Sequence, residues 1–273
     1  MTASTQWQLA RAAAEKYQTV LTPVILGPFA EALVDFAHLQ PGETAVDVGC
    51  GTGAAARRAA GLVGETGQVA GVDVNASMIE VAQSLPAVPG ATIAWHVANA
   101  AQLPQADQSV DAVLCAQVLQ FMPEKQPALA DMQRVVKPSG RVAFSLWMPI
   151  EDNPYFFALV DAVARHVGAE TAVGLRAAFA FSNQDDIYAV LQMAGFDQIE
   201  IEIRQIELPM PELTQFVPRH IGATPMGVGY NQAATAVQHA VVNDVCEKMA
   251  RFGANGRMQI PFRSHMILCK KGN

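Results

Sequence analysis

The sequence VDVGCGTG at residues 46–53 decides which fold is expected and which kind of ligand it holds. Together with Ala54 it satisfies the pattern GxGxxG/A, in which Gly49, Gly51 and Ala54 take the three positions. The glycines predict that a ligand or a helix approaches the backbone closely here. The pattern alone is a weak signal for a dinucleotide-binding loop, so its neighbours must decide the ligand.

A carboxylate lies directly beside this loop. Asp47 stands two residues before Gly49, and no Lys or Arg follows until Arg57. A pyrophosphate next to an unpaired, desolvated carboxylate would be repelled by several kcal/mol. A ligand with an ammonium or a sulfonium group would be attracted instead, and S-adenosylmethionine carries both groups and no phosphate. The loop is therefore expected to hold the amino-acid end of such a molecule.

Strand and helix patterns alternate along the chain. Segments with strand character lie at 41–49, 67–75, 91–99, 109–117 and 141–147, and helical patterns lie between them at 54–64, 77–85 and 127–136. A helix at 184–196 and two long strands at 198–208 and 258–271 follow. This order predicts an α/β fold: a doubly wound, mostly parallel, seven-stranded Rossmann-like sheet with helices on both faces. Ligands in such sheets bind beyond the carboxyl ends of the strands.

Two stretches interrupt the alternation and are expected to form a lid over the strand ends. The expected division of the chain is 1–40, N-terminal helices covering the cofactor site; 41–147, cofactor-binding core; 148–183, first lid insertion; 184–208, core helix and strand; 209–257, second lid insertion; and 258–273, final core strand. Pro23 and Pro28 are expected to break the N-terminal segment into two or three helices. The stretch 208–230 is rich in Pro and Gly and is expected to be irregular.

Composition limits the classes of partner. The chain has 273 residues, is 51% hydrophobic and carries a formal charge of −7. It has no run of Lys and Arg to neutralise several phosphates, so neither nucleic acid nor an anionic membrane is the expected partner. The N-terminus is too polar for a secretory signal, and no apolar stretch is expected to approach the roughly 20 residues that span a bilayer.

The four cysteines give no sign of a metal site or of disulfides. Cys50, Cys115, Cys246 and Cys269 form no CxxC pair and no Cys/His cluster with zinc spacing. Reduced thiols in a cytoplasmic protein are expected, with no bound metal. The oligomeric state is not predicted by any of these features.

Five ordered segments resemble the motifs of one enzyme family. They are VDVGCGTG (46–53), GQVAGVDVNASMI (67–79), VANAAQLP (97–104), VDAVLCAQVLQFMPE (110–124) and MQRVVKPSGRVAFSLW (132–147). In this order they are similar to class I S-adenosylmethionine-dependent methyltransferases, in the methyltransferase type 11 branch that contains ubiquinone and menaquinone C-methyltransferases. The resemblance covers about residues 15–147 and the final helix–strand pairs. It implies that S-adenosyl-L-methionine is the cofactor and S-adenosyl-L-homocysteine the product.

The resemblance assigns residues to the methionyl end of the cofactor. Three residues would hold that end: Asp47, Gly49 and Gly51. Gly53 would admit close packing of the following helix. Gln117, which follows the fourth strand, would lie near the methionyl end. Tyr17 corresponds to a tyrosine that closes over the cofactor in related enzymes, although it would also suit a helix anchor packed on the core.

Further residues are assigned to the adenosine part. Asp73 ends the second strand, about twenty residues past the loop, where a carboxylate can accept hydrogen bonds from both ribose hydroxyls. The resemblance implies that Val74 and Met78 pack on adenine. It also implies that Asn99 accepts from the adenine amino group and that the Ala100 N–H donates to a ring nitrogen. The family more often has Asp in place of Asn99, but the amide oxygen can still accept.

No catalytic signature is found, and none is needed for methyl transfer. An in-line displacement from a sulfonium can rely on proximity and alignment, with a base for only some nucleophiles. His220, in the lid sequence FVPRHIGATP (216–225), is the candidate base because the pKa of histidine suits that task. A structural or cofactor-edge role is expected for His96, a solvated position for His166 and a structural role for His265.

The acceptor is expected to be a small, partly hydrophobic metabolite. Some of the lid aromatics and methionines should line an apolar cavity; the candidates are Trp147, Tyr155, Phe156, Phe157, Phe179, Phe181, Met210, Phe216, Met226 and Tyr230. An NAD(P)-dependent oxidoreductase is one alternative, but the chain has no Tyr-xxx-Lys pair. A protein that binds S-adenosylmethionine without transferring its methyl group is another.

Overall fold

The computed structural model describes residues 10–254 and 257–271. Its strands are β1 Thr44–Val48, β2 Gln68–Asp73, β3 Ile93–Val97, β4 Val110–Ala116, β5 Val136–Trp147, β6 Phe196–Pro209, β7 Gly253–Ala254 and β8 Arg257–Lys271. Its α-helices are α1 Arg11–Lys16, α2 Gly27–Phe36, α3 Ala54–Val63, α4 Ala76–Ser84, α5 Lys125–Val135, α6 Pro154–His166, α7 Ala169–Arg176, α8 Gln184–Met193, α9 Leu213–Gly222, α10 Gly227–Gln232 and α11 Thr235–Met249.

Seven strands form the main sheet in the order β3-β2-β1-β4-β5-β8-β6. The first five are parallel, and β8 lies antiparallel between β5 and β6. The predicted doubly wound, mostly parallel sheet is confirmed, and the two-residue β7, which pairs with β8, is an addition to it. The strand order reverses between β1 and β4, so a crevice is expected beyond their carboxyl ends.

The two faces of β1 show how the sheet is covered. Ala45 belongs to a hydrophobic cluster on one face, whereas Val46 and Val48 belong to a cluster on the other. This alternation follows from the period of two in a strand, and both faces are buried because helices pack on each. The alanine-rich α3 buries Ala55, Ala56, Ala59 and Ala60, and such small side chains allow it to lie close to the sheet.

The N-terminal segment is one helical run, so the expectation of separate helices is wrong. Between α1 and α2, residues Tyr17–Leu26 form a π-helix that contains Pro23. In the wider π turn the N–H of Gly27 donates to the carbonyl of Thr22, five residues back. A proline has no N–H and crowds a regular α-helix. The wider turn therefore lets the chain pass Pro23 without ending the helix.

The same helical run is longer and more apolar than expected, since no stretch of membrane-spanning length was predicted. Arg11–Phe36 is 26 residues long and has a window with a mean hydropathy of 1.4, so by length and composition it could cross a membrane. Half of that window is buried inside the fold. Phe29 and Leu33, for example, are fully buried in the core. The core helix of a soluble protein passes the same test, so the run is weak evidence for a membrane span.

The Pro/Gly-rich stretch after β6 is helical, contrary to expectation. It contains α9 and α10, and α9 includes Pro218. The buried residues of α9 are Leu213, Phe216, Val217, His220 and Ile221, which repeat at helical spacing. Burial of this stripe outweighs the proline. The boundaries of the two lid segments remain a prediction.

Candidate functional site

A cavity of about 580 Å³ lies beyond the carboxyl ends of the central strands. We call one part of its wall the glycine-loop half: Tyr17, Gly49, Gly51, Asp73, Val74, Met78, Asn99, Ala100 and Gln117. We call another part the lid half: Trp147, Phe156, Leu175, Ala178, Phe179, His220 and Thr224. The wall includes every predicted site residue except Asp47 and Gly53.

The glycine loop adopts backbone angles that would be strained for a residue with a side chain. Gly49, Gly51 and Gly53 have φ angles of +70°, +53° and +91°. A Cβ on Gly49 would lie 2.4 Å from a methyl carbon of Val118. A Cβ on Gly53 would lie 2.3 Å from the ring of Trp95, so this glycine makes room for a β3 side chain. Gly53 thus shapes the loop from behind and does not face the cavity.

Asp73 holds the loop in place. Its carboxylate accepts a hydrogen bond of 2.8 Å from the N–H of Gly51 and another of 2.8 Å from the N–H of Asn75. Asn75 is the N-cap of α4, because its side chain accepts from the N–H of Ser77. Burial raises the pKa of Asp73. Its oxygens have further lone pairs, and the residue lines the cavity, so it can also accept from a ligand.

Asp47 lies beneath the loop. One of its oxygens accepts a hydrogen bond of 2.9 Å from the N–H of Ala56, in the first turn of α3, where a carboxylate complements the helix dipole. The other oxygen is buried and has no partner among the described residues. Burial raises the pKa of Asp47 to about 7. Asp47 does not line the cavity, because its side chain is directed to the helix, and its expected role at the methionyl end stays a prediction.

The residues expected around adenine form one region of the wall. Val74 is 56% exposed although it is apolar, whereas Met78 is buried. The side-chain oxygen of Asn99 accepts from the N–H of Ala101 at 2.9 Å, which closes the turn after β3. An amide oxygen can accept a second hydrogen bond. The exposed apolar surface of Val74, on the same part of the wall, suits a flat aromatic ring.

Gln117 and Tyr17 lie where this region meets the rest of the cavity. Gln117 has a φ of +58°, which is uncommon for a residue with a side chain and often marks a functional site. Its amide nitrogen donates to Ser264 at 2.8 Å. Tyr17 begins the π-helix, and its hydroxyl is 3.7 Å from the position of a Cβ on Gly51. Burial, with smaller effects of Asp73 and Asp47, raises the pKa of Tyr17.

Aromatic rings form much of the lid half. The ring of Phe156 packs edge to face with Trp147 and with Phe179, each pair with centroids 5.2 Å apart. These are the three members of the expected aromatic and methionine set that line the cavity; the others pack elsewhere. The sequence analysis missed Leu175, Ala178 and Thr224. Small and aliphatic side chains carry no signal of a binding role, and only the fold places them on the wall.

His220 lies on the cavity wall with 2% of its surface exposed. Its Nδ1 is 3.1 Å from the hydroxyl of Tyr155. Burial lowers the pKa of His220 to about 3, so the expectation that this pKa suits a general base is wrong. Desolvation penalises the protonated ring, and no carboxylate of the described residues compensates this penalty. His220 is neutral at physiological pH.

The other histidines considered as bases do not line the cavity. His166 contacts Asp244 at 3.3 Å on the outside of the lid. His265 lies within β8, and its Nε2 is 2.9 Å from the carbonyl of Ser182. His96 lies within β3 and is half-buried. His96 and His265 thus lie within strands, and His166 contacts a carboxylate where a solvated position was expected.

The charge of the cavity wall is negative. Its acidic side chains are Asp73 and Glu124, and no Lys or Arg of the described residues lines it. A phosphate ligand would lack a counter-charge here, whereas an ammonium or sulfonium ligand would find one. The glycine cradle, the unpartnered Asp47 oxygen below it and the acidic wall therefore fit S-adenosylmethionine better than a dinucleotide.

Comparison with known proteins agrees with this geometry. The sequence signature described as "Methyltransferase domain" matches residues 46–144. An arsenite methyltransferase from Halobacterium salinarum is 35% identical over 188 residues, which are 67% of this chain and 43% of that protein. The ubiquinone/menaquinone biosynthesis C-methyltransferase UbiE from Cupriavidus pinatubonensis is 31% identical over 173 residues, which are 60% of this chain and 71% of UbiE.

A solved structure shows the same fold. The YcgJ protein from Bacillus subtilis superimposes with a TM-score of 0.57 at 16% identity, covering 90% of this chain and 99% of its own. This chain spans less than half of the arsenite methyltransferase but most of UbiE. The chain belongs to the family of class I S-adenosylmethionine-dependent methyltransferases, with S-adenosyl-L-methionine as the cofactor.

Proposed function

We propose that the protein transfers a methyl group from S-adenosylmethionine to a small, partly hydrophobic molecule. The observation that carries this proposal is that the glycine-loop half and the lid half are walls of one cavity. A cofactor held at the first half would lie beside an acceptor held at the second. Cavities of roughly 300–1,000 Å³ are typical for small ligands, and this one has about 580 Å³.

The residues of the glycine-loop half would hold the cofactor. Gly49 and Gly51 allow the methionyl end to approach the backbone, and Asp73 accepts from the ribose. The adenine ring would lie against Val74 and Met78, between Asn99 and Ala100, while Tyr17 and Gln117 border the methionyl end. Asp47 and Gly53 support the loop without touching the ligand. S-adenosylmethionine, when bound, supplies a methyl group on a sulfonium, which is a good leaving group.

The residues of the lid half would hold the acceptor. Trp147, Phe156 and Phe179 give this half an aromatic wall, and Leu175 and Ala178 add aliphatic surface. A mostly apolar wall favours a molecule with an apolar ring or chain and few polar groups. Transfer then depends on holding the acceptor in line with the sulfonium and on excluding water. We assign the acceptor contact in this half to His220.

The activities named for the two relatives agree to different degrees with the chemistry of this cavity. A ubiquinone/menaquinone biosynthesis C-methyltransferase agrees with an apolar, ring-bearing acceptor. An arsenite methyltransferase agrees less well, because trivalent arsenic binds thiols and none of the four cysteines lines the cavity. The ubiquinone/menaquinone relative thus supports a small organic acceptor.

The expected partners and location follow from charge and from the cysteines. A chain of net charge −7 with no cation on the cavity wall is not suited to nucleic acid, and we propose no membrane partner. The four cysteines are free thiols, which fits a reducing cytoplasm. The acceptor is therefore proposed to be a soluble or partly apolar metabolite of that compartment.

Transfer of a labelled methyl group tests the proposal. The purified protein is incubated with methyl-labelled S-adenosylmethionine and a desalted extract with its pooled small metabolites, and the label is then followed into protein, nucleic acid, lipid and small molecules. We expect one enzyme-dependent small-molecule product. Label in protein or RNA would contradict the acceptor class. Tight cofactor binding without any transfer would favour a protein that binds S-adenosylmethionine but does not use it.

A further inference from the structure

A buried pair of side chains lies at the edge of the lid half. Tyr155, on α6, is fully buried and does not line the cavity, whereas His220, on α9, does. The tyrosine hydroxyl and Nδ1 of His220 are 3.1 Å apart. The rings of Phe156 and Phe216 pack edge to face on the imidazole, with centroids 6.0 and 5.6 Å away. The imidazole is thus held by neighbours on several sides.

The hydrogen bond between the pair determines which ring nitrogen carries the proton. The imidazole is neutral, so one nitrogen donates and the other accepts. If Nδ1 donated to the tyrosine oxygen, the tyrosine proton would be left without an acceptor among the described residues, in a fully buried position. If the tyrosine donates to Nδ1, both atoms are satisfied. A phenol is also the better donor and an imidazole nitrogen the better acceptor, so the proton of His220 lies on Nε2.

The Nε2–H has no acceptor of its own. It makes no hydrogen bond to any residue that the structure describes, and Nδ1 is directed away from the cavity toward Tyr155. The lid half has two other polar side chains. The hydroxyl of Thr224 already donates to the carbonyl of Ile221 at 2.9 Å, and the indole N–H of Trp147 can only donate. His220 is the donor of the lid half whose protonated nitrogen is set by a buried partner.

We infer that Tyr155 fixes His220 as the Nε2–H tautomer and that this N–H donates a hydrogen bond to an oxygen of the methyl acceptor, a carbonyl or a deprotonated hydroxyl. This inference rests on the proposed function, because it places the acceptor in the lid half. In this inference His220 recognises the acceptor through a hydrogen bond and does not abstract a proton from it. Tyr155 is a positioning residue, and His220 selects apolar acceptors that carry such an oxygen.

Nitrogen-15 NMR of histidine-labelled protein, saturated with S-adenosylhomocysteine, tests the tautomer. The wild-type protein is expected to show His220 protonated on Nε2 and unprotonated on Nδ1. In Tyr155→Phe the two tautomers should mix, which a merely structural role of Tyr155 would not produce. The signal is assigned by its loss in His220→Gln or, if that variant does not fold, by through-space contacts to Phe216. A wild-type proton on Nδ1 would overturn the inference.

A pair of matched probes tests the oxygen contact. 1-Tetralone carries a ketone on a fused aromatic ring, and tetralin has the same shape without the oxygen. In the presence of S-adenosylhomocysteine the wild-type protein should bind 1-tetralone about tenfold more tightly, the effect of one added hydrogen bond. His220→Phe should abolish the preference, and His220→Gln, which keeps an N–H, should retain part of it.

The outcome is separable from that of the proposed function. Equal binding of the two probes, or binding of neither, overturns the assignment of an oxygen-bearing acceptor. If labelled methyl transfer to small molecules persists in that case, the proposed function stands and only this inference fails. If the wild-type protein binds S-adenosylhomocysteine but transfers no label, the proposed function fails even when the tautomer is as expected.

Discussion

The two halves of the cavity are built in different ways. Apart from Tyr17 and Met78, the glycine-loop half consists of short segments at the ends of neighbouring parallel strands, and Asp73 holds the backbone there through the N–H groups of Gly51 and Asn75. The lid half consists of side chains from the end of β5 and from helical and turn segments far apart in the chain, and the placement of His220 in it depends on a contact between residues 65 positions apart, Tyr155 and His220. One half is fixed by local geometry, whereas the other depends on how the lid packs.

This difference suggests a division of labour. A glycine loop with a carboxylate at the next strand end recognises the part of the ligand that all members of the family share. A lid of helices can change its aromatic and aliphatic side chains without disturbing the sheet, so it is the half that can set the acceptor. Variants in the first half should therefore affect the cofactor, and variants in the second half the acceptor.

The largest expected effect is on stability and comes from Asp47, beneath the glycine-loop half. Its pKa is about 7 in the folded protein against an ordinary value of 3.8, so the folded state binds the proton more tightly. The stability this provides is fully present below the unfolded pKa and is lost as the pH rises through about 7. A shift of roughly 3 pKa units corresponds to about 4 kcal/mol.

Asp47→Asn removes this titration while keeping a side-chain oxygen for the Ala56 N–H. Urea unfolding of both proteins from about pH 4 to about pH 8 should show the free energy of unfolding of the wild type falling relative to the variant, by at most about 4 kcal/mol. A difference that stays constant across this range would show that folding does not raise the pKa of Asp47.

The next effect is on the cofactor. Asp73→Ala frees the N–H groups of Gly51 and Asn75 and removes the proposed ribose acceptor. We expect binding of S-adenosylhomocysteine, measured by calorimetry, to weaken about 100-fold, because hydrogen bonds to charged groups contribute roughly 1.5–3 kcal/mol. Glu65→Ala, at an exposed carboxylate, is the control and should bind as the wild type does. Unchanged affinity in Asp73→Ala would remove this residue from the cofactor site.

Gly49→Ala tests how closely the backbone of the glycine loop packs against Val118. The added methyl group would overlap Val118, and we expect a loss of stability about 2 kcal/mol greater than in Gly42→Ala. Gly42 also has a positive φ, +87°, but a Cβ there meets its nearest atom at 3.7 Å. The comparison separates crowding from backbone strain. Equal losses in thermal or urea unfolding would mean that the loop relaxes around the methyl group.

The smallest effect is expected in the lid half. Phe156→Leu keeps an apolar side chain but loses the ring contacts with Trp147 and Phe179, and it should slow methyl transfer about tenfold at limiting acceptor. Binding of S-adenosylhomocysteine should be unchanged. Phe144→Leu, at an equally buried ring outside the cavity, controls for stability and should transfer normally. A reduced cofactor affinity in Phe156→Leu would break the division between the halves.

The same division explains what the sequence could predict. The alternation of strands and helices, the glycine loop and Asp73 at the end of the second strand follow from sequence spacing, and the structure has each of them. The helical character of α9 was hidden by Pro218, and the π-helix around Pro23 by the usual effect of proline on helices. In both cases burial of an apolar stripe overrides the local preference.

For the lid half, the sequence could predict the apolar, aromatic character of the surface but not the residues that form it. The sequence favoured an aromatic wall, but it could not select Trp147, Phe156 and Phe179 from a larger aromatic set, because that choice depends on how α6 and the residues after α7 pack. The position of His220 could be proposed, but its low pKa could not, because complete burial is a property of the fold.

A crystal structure with S-adenosylhomocysteine tests the central claim most directly. The account predicts that the ribose contacts Asp73, that the adenine lies near Asn99, and that the sulfur faces the lid half. It also predicts that an apolar volume remains beside the sulfur, bounded by Phe156 and His220. A sulfur directed away from the lid half, or a cofactor that fills the lid half itself, would contradict the claim that one cavity holds cofactor and acceptor together.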